Sequence, residues 1–343
     1  MANPSSPPSL STMPATVLDI IIKDASIPEI QILRKVCHHL RHHIDHTHLD
    51  YKIQKVVVKD RGVGTVIVRL YLQDGRKIEM KYSKNGHDCQ LRYEYKSKIL
   101  EDQDHATLAA NDLGLILKNQ KIEELYLEFF PFHFRLSLDC MEIVSGRFLT
   151  TLNSHLSSFK VKNLEIHGIK DQVLFMKILP LLDPRTLDSI DIHFTKRSEA
   201  SITLKIDEMI ELDQWKQARR LTVDGLNLAC SLRNFVHFEY LDVELRDVTA
   251  EEIVLLRETT LQRTPEHRNH ICLEYRHLSK PEKKKFLESF GKPYPTSDRS
   301  NLTWYYKKNP EGGLDFSWNE AKKNSVFIRF VLFPGRRLFD CFF

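Results

Sequence analysis

The chain has 343 residues, enough for two or three domains of ordinary size. With 42% hydrophobic and 28% charged residues, its composition is typical of a globular protein and excludes a wholly disordered one. No segment approaches the about 20 consecutive apolar residues of a membrane helix. Residues 1–8 have neither the basic nor the apolar part of a secretory signal. We therefore expect neither a membrane span nor secretion.

Cysteine spacing and charge distribution narrow the class further. The six cysteines lie far apart, without a Cys-x-x-Cys pair, so we expect reduced thiols, a cytoplasmic or nuclear location and no zinc ribbon. The net charge of +4 is uneven, because residues 276–343 contain 14 Lys and Arg against 7 Asp and Glu. The rest of the chain carries a net charge of −3. This asymmetry predicts two surfaces with different electrostatic preferences.

The N-terminal part is predicted to be a small helical unit. Residues 1–9 are rich in Ser and Pro and predicted to be disordered. Pro14 suits the start of a first helix and Pro28 opens a second, which continues to Ile44 along one apolar face. Ile20, Val36 and Leu40 are expected to pack partly within this unit. A unit of about 35 residues buries little surface alone. Residues 10–50 are therefore expected to pack against a neighbouring part of the chain or a partner.

A β-rich segment is predicted next, over residues 51–120. Apolar residues alternate with polar ones around Val56, Val68 and Met80, which is the period of β-strands. Asp74-Gly75 between two of these stretches is typical of a tight hairpin. A helix of about 15 residues is predicted around residues 107–117.

The remainder, residues 121–343, is dominated by a recurring apolar-x-apolar triplet. Helical stretches lie between the triplets, at residues 173–182, 207–218 and 250–262. The repeat predicts an α/β fold in which a leucine-rich-repeat-like curved stack of strands and helices follows the helical N-terminus, although other α/β layer folds share this alternation. The apolar pairs are Leu125/Leu127, Leu164/Ile166, Ile190/Ile192, Leu221/Val223, Leu241/Val243 and Ile271/Leu273.

The positions that alternate with the triplet residues are expected on the opposite face of the strands. Seven of these 12 positions are acidic and none is Lys or Arg. We interpret this stripe as a binding face for a basic protein target, although solvent-facing strand positions are often charged. The predicted target-binding residues are Glu165, Asp191, Asp224, Asp242 and Glu244.

Two segments resemble a known family. Met13-Pro14, the apolar stretch after it and the run Leu33-Arg34-Lys35-Val36-Cys37 resemble an F-box of the nematode type, with Met in place of the usual Leu at position 13. Residues 206–221, with Leu212-Asp213-Gln214-Trp215-Lys216 at their centre, resemble the FTH domain that accompanies the F-box in nematode F-box A-type proteins.

The resemblance implies a substrate-receptor subunit of a Skp–cullin–F-box ubiquitin ligase. The F-box would bind the Skp-type adaptor, and through it a cullin, while the FTH part would bind an unknown target. The expected adaptor contacts are Met13, Pro14, Val17, Leu18, Ile21, Ile30, Leu33, Val36, Cys37 and Leu40.

Such a receptor needs no chemistry of its own, since it works by proximity. The sequence contains no Gly-x-Ser-x-Gly, P-loop or His-Glu-x-x-His motif, and we expect no enzyme activity, no metal and no cofactor. A scaffold or decoy that binds a partner without ubiquitin transfer is the alternative. Nucleic-acid binding is not expected, because a basic C-terminal part without a nucleic-acid fold is weak support.

Three further groups are predicted to be structural. Six histidines fall between His38 and His48, and we interpret them as a solvated helix face rather than a zinc site. The run Lys283-Lys284-Lys285 is expected to begin a solvated helix. The aromatic residues expected in the core are Trp215, Phe235, Phe238, Phe290 and Trp304.

Overall fold

A computed structural model describes most of the chain, and its strands form one mixed sheet. The described residues are 10, 13–34, 36–47, 49–61, 64–118, 120–129, 138–155, 158–194, 202–263, 269–277, 280–294, 301–307, 312–321 and 325–334. Residues 1–9 lie outside them, so the predicted disorder there stays a prediction.

The helices and strands alternate through the middle of the chain. The helices are α1 (Ala15–Asp24), α2 (Ile27–Leu33), α3 (His38–His46), α4 (His105–Leu117), α5 (Leu138–His155), α6 (Gln172–Ile178), α7 (Asp213–Gln217), α8 (Ala250–Gln262) and α9 (Lys280–Phe290). The strands are β1 (Ile53–Asp60), β2 (Thr65–Leu72), β3 (Lys77–Asn85), β4 (Asp88–Tyr93), β5 (Lys96–Leu100), β6 (Lys121–Phe129), β7 (Lys160–His167), β8 (Ser189–His193), β9 (Thr203–Leu204), β10 (Arg220–Leu228), β11 (Tyr240–Asp247), β12 (Asn269–His277), β13 (Asn301–Lys307), β14 (Gly312–Ala321) and β15 (Ser325–Pro334).

The six apolar triplets lie in a single parallel block of strands, as predicted. β6, β7, β8, β10, β11 and β12 are neighbours in that order, and β1 extends the block on the side of β6. The triplets are in register, so that Leu125, Leu164, Ile190, Leu221 and Leu241 form one row across the sheet. All twelve triplet residues are buried. This register follows from the apolar alternation, since a slip by one residue would turn every buried side chain to the other face.

Helices cover the apolar face of the sheet. Leu113 of α4, Phe148 of α5, Phe175 of α6, Ile253 of α8 and Phe286 of α9 belong to the same core cluster as the triplet residues. The helix starts are encoded locally: the Thr249 hydroxyl accepts from the Glu252 backbone N–H, and the Glu252 carboxylate accepts from the Thr249 backbone N–H.

The predicted core aromatics are confirmed. Trp215 meets Phe235 and Phe238 edge-on, and Trp304 packs beside Phe290 in a second aromatic group. All five side chains are buried. Edge-to-face contacts of this kind stabilise a core beyond simple burial of area.

Antiparallel strands flank the parallel block at both ends. β2 to β5 follow β1 in chain order, and β15, β14 and β13 follow β12. The turn between β2 and β3 contains Asp74 and Gly75, as predicted, with Gly75 at φ +85°. The predicted boundary at residue 120 falls between α4 and β6. β1 precedes this boundary in the chain, yet it pairs directly with β6, which follows it. The sheet therefore runs across that boundary without a break.

The N-terminal helices form a small unit with its own core. Leu18, Ile22, Ile30, Leu40 and Ile44 pack together in a cluster distinct from the core of the sheet. The two cores meet where Ile27 packs into the larger one and where Tyr51 contacts both.

The helical stretch predicted from Pro28 to Ile44 is divided into two helices in the structure. α2 ends at Leu33, and Cys37, with φ −158° and ψ 164°, is extended and precedes α3. The Cys37 thiol accepts a hydrogen bond from the Leu40 backbone N–H and so caps α3. This break lets α3 fold back, so that Leu40 reaches the core shared with α1.

Candidate functional site

The polar side of the parallel block is the first candidate surface. Its side chains alternate with the buried triplet residues and face away from the helices; we call this surface the open face. It includes Lys55, Lys59, Glu124, Tyr126, Glu128, Glu165, His167, Asp191, His193, Arg220, Asp224, Tyr240, Asp242, Glu244 and Cys272.

Four of the five predicted target-binding residues lie on accessible parts of the open face. Glu165 of β7 is in register with Asp191 of β8. Thr222 of β10 lies between Asp191 and Asp242 of β11, in register with both. Asp224 is well exposed. Glu244 corrects the prediction, because it is 9% exposed and enclosed beside β12, so it cannot be a surface contact.

The acidic stripe does not cover the whole open face. Lys55 and Lys59 of β1 project beside the acidic strands and form ion pairs with Glu124 and Glu128. Arg220 lies 5.0 Å from the centre of the Tyr240 ring on the same face. The triplet pattern does not include β1. Its lysines therefore join the open face only because β1 pairs with β6. The acidic stripe is therefore real but bounded by cations.

The pair formed by Lys59 and Glu128 is the most buried ion pair of this face. Burial alone would raise the pKa of the Glu128 carboxyl, but hydrogen bonds from Lys59 and from the Tyr126 hydroxyl outweigh it and hold that pKa below its usual value. Burial and the Glu128 carboxylate raise the pKa of the Tyr126 phenol. The hydroxyl therefore stays protonated and donates to Glu128.

A second polar group lies on β11 and β12. Burial raises the pKa of the Asp242 carboxyl, and burial together with the nearby Asp242 raises the pKa of the Cys272 thiol to about 11. A thiol with so high a pKa is a poor nucleophile at neutral pH. His270 stacks on Tyr240 at 5.4 Å, and burial with the nearby Arg329 lowers its pKa. This group is suited to packing and hydrogen bonding rather than to catalysis.

Between these groups, two histidines and an acid come together. Nε2 of His167 donates a hydrogen bond to Oε1 of Glu165 across 2.6 Å, and the rings of His167 and His193 stack at 4.7 Å. One donor atom from each of the three side chains lies within 4.8 Å of the others. Asp224 Oδ2 lies 3.8 Å from His193 Nδ1. The alternating pattern predicts that both histidines lie on this face. It does not predict that they are neighbours, because only the register of β7 with β8 brings them together.

The N-terminal helices form the second candidate surface. Of the predicted adaptor contacts, Pro14, Val17 and Val36 are exposed, and Met13, Ile21, Leu33 and Cys37 are partly buried. Leu18, Ile30 and Leu40 correct the prediction, because they lie in the core of the unit and have no accessible side chain.

Ile20 and Val36 reverse the expectation that they pack internally, since they are 64% and 62% exposed. Ile32 is similarly exposed on α2. A three-helix unit that leaves such large apolar side chains in water has surface suited to a partner. The exposure of Val36 agrees with its expected adaptor contact, whereas the amphipathic pattern did not reveal that of Ile20, because it cannot tell an internal contact from an intermolecular one.

Polar pairs fix the geometry of these helices. Arg34 donates to both carboxylate oxygens of Asp45, at 2.6 and 3.1 Å, and joins the end of α2 to α3. His43 Nε2 donates to Asp19 across 2.9 Å and joins α3 to α1. The rings of His42 and His46 lie 4.0 Å apart, tilted by 42°, on the exposed side. His48 lies outside the described residues. The described histidines thus have structural roles or face solvent, as predicted.

A cleft separates the helical unit from the β2–β3 hairpin. Its volume is about 750 Å³, and its lining includes Ile22, Ile27, Tyr51, Asp74 and Arg76. Arg76 donates to the Asp74 carboxylate at the mouth.

Comparison with known proteins gives one match. Residues 142–292 match the family model of the FTH domain, which therefore spans α5 to α9 and includes β7, β8 and β10 to β12. FTH domains are associated with F-box proteins. No curated protein and no solved structure matches the chain. Among the described residues, no helix has both the length and the apolar composition needed to cross a membrane.

Proposed function

We propose that this protein is a substrate-receptor subunit of a Skp–cullin–F-box ubiquitin ligase. Residues 10–50 act as an F-box that binds the Skp-type adaptor, and the sheet with its FTH domain binds a target protein. The observation that carries the proposal is the pair Ile20 and Val36, which are large, apolar and exposed on a small helical unit in the same chain as an FTH domain. The sequence resemblance to an F-box over the same helices supports the choice of partner.

The energetics agree with adaptor docking. Burial of an exposed Ile or Val side chain contributes about 1.5–3 kcal/mol. Several such anchors give an interface of useful strength, whereas in the free chain they remain in contact with water. The buried residues Leu18, Ile30 and Leu40 then act indirectly, since they hold the exposed anchors in place.

The target side is the open face. Glu165, Asp191, Asp224 and Asp242 give its centre an acidic character. A segment rich in Lys and Arg is the target chemistry that this centre attracts, with an association rate that falls as salt rises. Lys55 and Lys59 at the edge set the limit of the contact, because they repel a basic segment. The protein itself contributes proximity and no bond-making step.

Capture from cells tests the proposal. The full chain is compared with the variant Ile20→Ser with Val36→Ser and with a matched control, Ile99→Ser with Val173→Ser. The control residues are also large exposed apolar side chains, 53% and 57% accessible, but lie on β5 and α6. We expect the adaptor and a cullin with the wild type and the control, and neither with the first variant.

Proteasome inhibition separates a ligase from a scaffold. A ligase receptor predicts that captured target proteins accumulate when the proteasome is inhibited, and that this gain disappears in the Ile20→Ser, Val36→Ser variant. Partners whose amounts are unchanged by inhibition would support the scaffold. Equal adaptor capture by both double variants would reject the helical unit as the docking site.

A further inference from the structure

We propose that Glu165, His167 and His193 bind a divalent transition-metal ion, with zinc as the expected ion. The inference does not depend on the ligase role and concerns only the centre of the open face. The three side chains come from β7 and β8, and one donor atom from each lies within 4.8 Å of the others.

Backbone geometry brings the ligands together. Glu165 and His167 are two residues apart on β7 and so point to the same side. His167 and His193 are register partners on neighbouring parallel strands, and such strands lie about 4.8 Å apart. The site is therefore built on the rigid part of the sheet rather than on loops, which is a favourable arrangement for metal binding.

The spacing is close to that of a zinc centre. With bonds of about 2.0–2.1 Å, tetrahedral donors lie about 3.4 Å from each other. Glu165 and His167 already hold their donor atoms 2.6 Å apart in a hydrogen bond. A metal ion bound there would take the place of the bridging hydrogen, and the neutral His167 ring would then carry its proton on Nδ1 so that Nε2 offers its lone pair. All three side chains are partly exposed, so the ion has a path from solvent and the rings can shift by the required about 1 Å.

The ligand chemistry selects the class of ion. Two imidazoles with one carboxylate suit zinc and similar borderline metals. Magnesium and calcium prefer oxygen ligands throughout. Asp191 is the register partner of Glu165, and Asp224 that of His193, so further negative charge surrounds the centre and favours a cation. Asp224, 3.8 Å from His193, is exposed and can complete the coordination.

The test measures zinc affinity of the metal-free full chain by competition with a chromophoric chelator. We expect one tightly bound zinc per wild-type chain, and binding weakened at least about 100-fold in His167→Ala with His193→Ala, because two of three ligands are lost. The control is His42→Ala with His46→Ala, which removes a second pair of neighbouring histidines, far from this site in sequence, and should bind zinc as the wild type does.

Two further measurements guard against a folding defect. Glu165→Gln preserves shape and should weaken zinc at least about tenfold, with thermal unfolding of the metal-free protein unchanged. Zinc should raise the melting temperature of the wild type and not that of the His167→Ala, His193→Ala variant. The proposal is overturned if the wild type binds no zinc tightly, or if it binds zinc with the same affinity as this double variant. Loss of the bound zinc in the His42→Ala, His46→Ala control would equally overturn it.

Discussion

The N-terminal helical unit and the parallel block of the sheet treat apolar residues in opposite ways. The block buries all twelve of its triplet residues and gives solvent a face of charged and hydrogen-bonding groups. The helical unit buries five residues in its own cluster and leaves Ile20, Ile32 and Val36 in water. The block satisfies its hydrophobic surface internally, whereas the helical unit leaves part of its own exposed.

Under the proposed function, this contrast predicts different kinds of recognition for the two regions. Burial of exposed apolar anchors gives affinity, so the helices suit a constant partner such as an adaptor. A polar face gives specificity and electrostatic steering, so the sheet suits choice among targets. The contrast can be tested residue by residue, starting with the site of largest expected effect.

The close packing of the block is tested at Gly225. This residue has φ +80°, and a Cβ placed on it would lie 1.7 Å from the Phe194 carbonyl oxygen. Gly225→Ala should therefore lower the free energy of unfolding by more than about 3 kcal/mol. The matched control is Gly75→Ala, with φ +85° and nothing within 4 Å, which should cost about 1–2 kcal/mol. Equal losses in urea unfolding would contradict the packing described here.

The division between core and surface in the helical unit is tested at Leu18 and Ile20. Leu18→Ala opens a cavity in the small core and should destabilise the unit by about 2–5 kcal/mol. Ile20→Ala removes an exposed side chain and should change stability by less than about 0.5 kcal/mol. Amide hydrogen exchange in α1 and α3 measures both effects. Similar protection factors in the two variants would show that the assignment of core and surface is wrong.

The open face contains two ion pairs that differ in burial. In the Lys59–Glu128 pair the side chains are 20% and 7% exposed, against 34% and 31% in the Lys55–Glu124 pair. Lys59→Met leaves an enclosed carboxylate without its cation and should cost about 1–3 kcal/mol. Lys55→Met should cost less than about 1 kcal/mol. Thermal unfolding should show a larger loss of stability in Lys59→Met than in Lys55→Met. The reverse order would contradict the difference in burial between the two pairs.

A smaller effect, set by pH, is expected at the first residue of α4. His105 is buried and no hydrogen bond to its ring nitrogens is present among the described residues. Burial lowers its pKa below the ordinary 6.5, against the opposing charges of Asp104 and Asp60. The unfolded chain therefore binds the proton first as the pH falls below about 6.5, so the folded state loses stability until its own pKa is reached.

His105→Leu removes this titration. The stability of the variant relative to the wild type should thus rise between pH 7 and pH 5, as measured by urea unfolding at each pH. Parallel pH profiles for the two proteins would contradict the buried, neutral state of His105.

The sequence predicted the parallel block in detail but not its surroundings. The triplets specify strand, face and neighbour, because strict alternation allows one register with all twelve residues buried. The break between α2 and α3 was missed, since the apolar spacing continues through Cys37 and no Gly or Pro marks it. The C-terminal strands were also missed, although Leu314, Phe316 and Trp318 alternate as a strand should.

The geometry of the two candidate surfaces was predicted only in part, for a physical reason. A strand pattern assigns residues to a face but does not say which strand joins from elsewhere, and β1 brought Lys55 and Lys59 to the open face. For the same reason, the pattern did not predict that Glu165 and His193, which lie on different strands, come close together. In the helical unit, the pattern predicted helices where the structure has them but exchanged some inner and outer residues, as Leu18 and Ile20 show.

Direct binding of a purified Skp-type adaptor tests the central claim, that exposed apolar residues of the N-terminal helical unit, such as Ile20 on α1 and Val36 between α2 and α3, form the docking surface. Calorimetric titration would compare the wild type, the Ile20→Ser, Val36→Ser variant and the Ile99→Ser, Val173→Ser control. Loss of two interface anchors should weaken binding at least about 30-fold, or about 2 kcal/mol, with the control unchanged. Equal affinities for the two double variants would contradict the account.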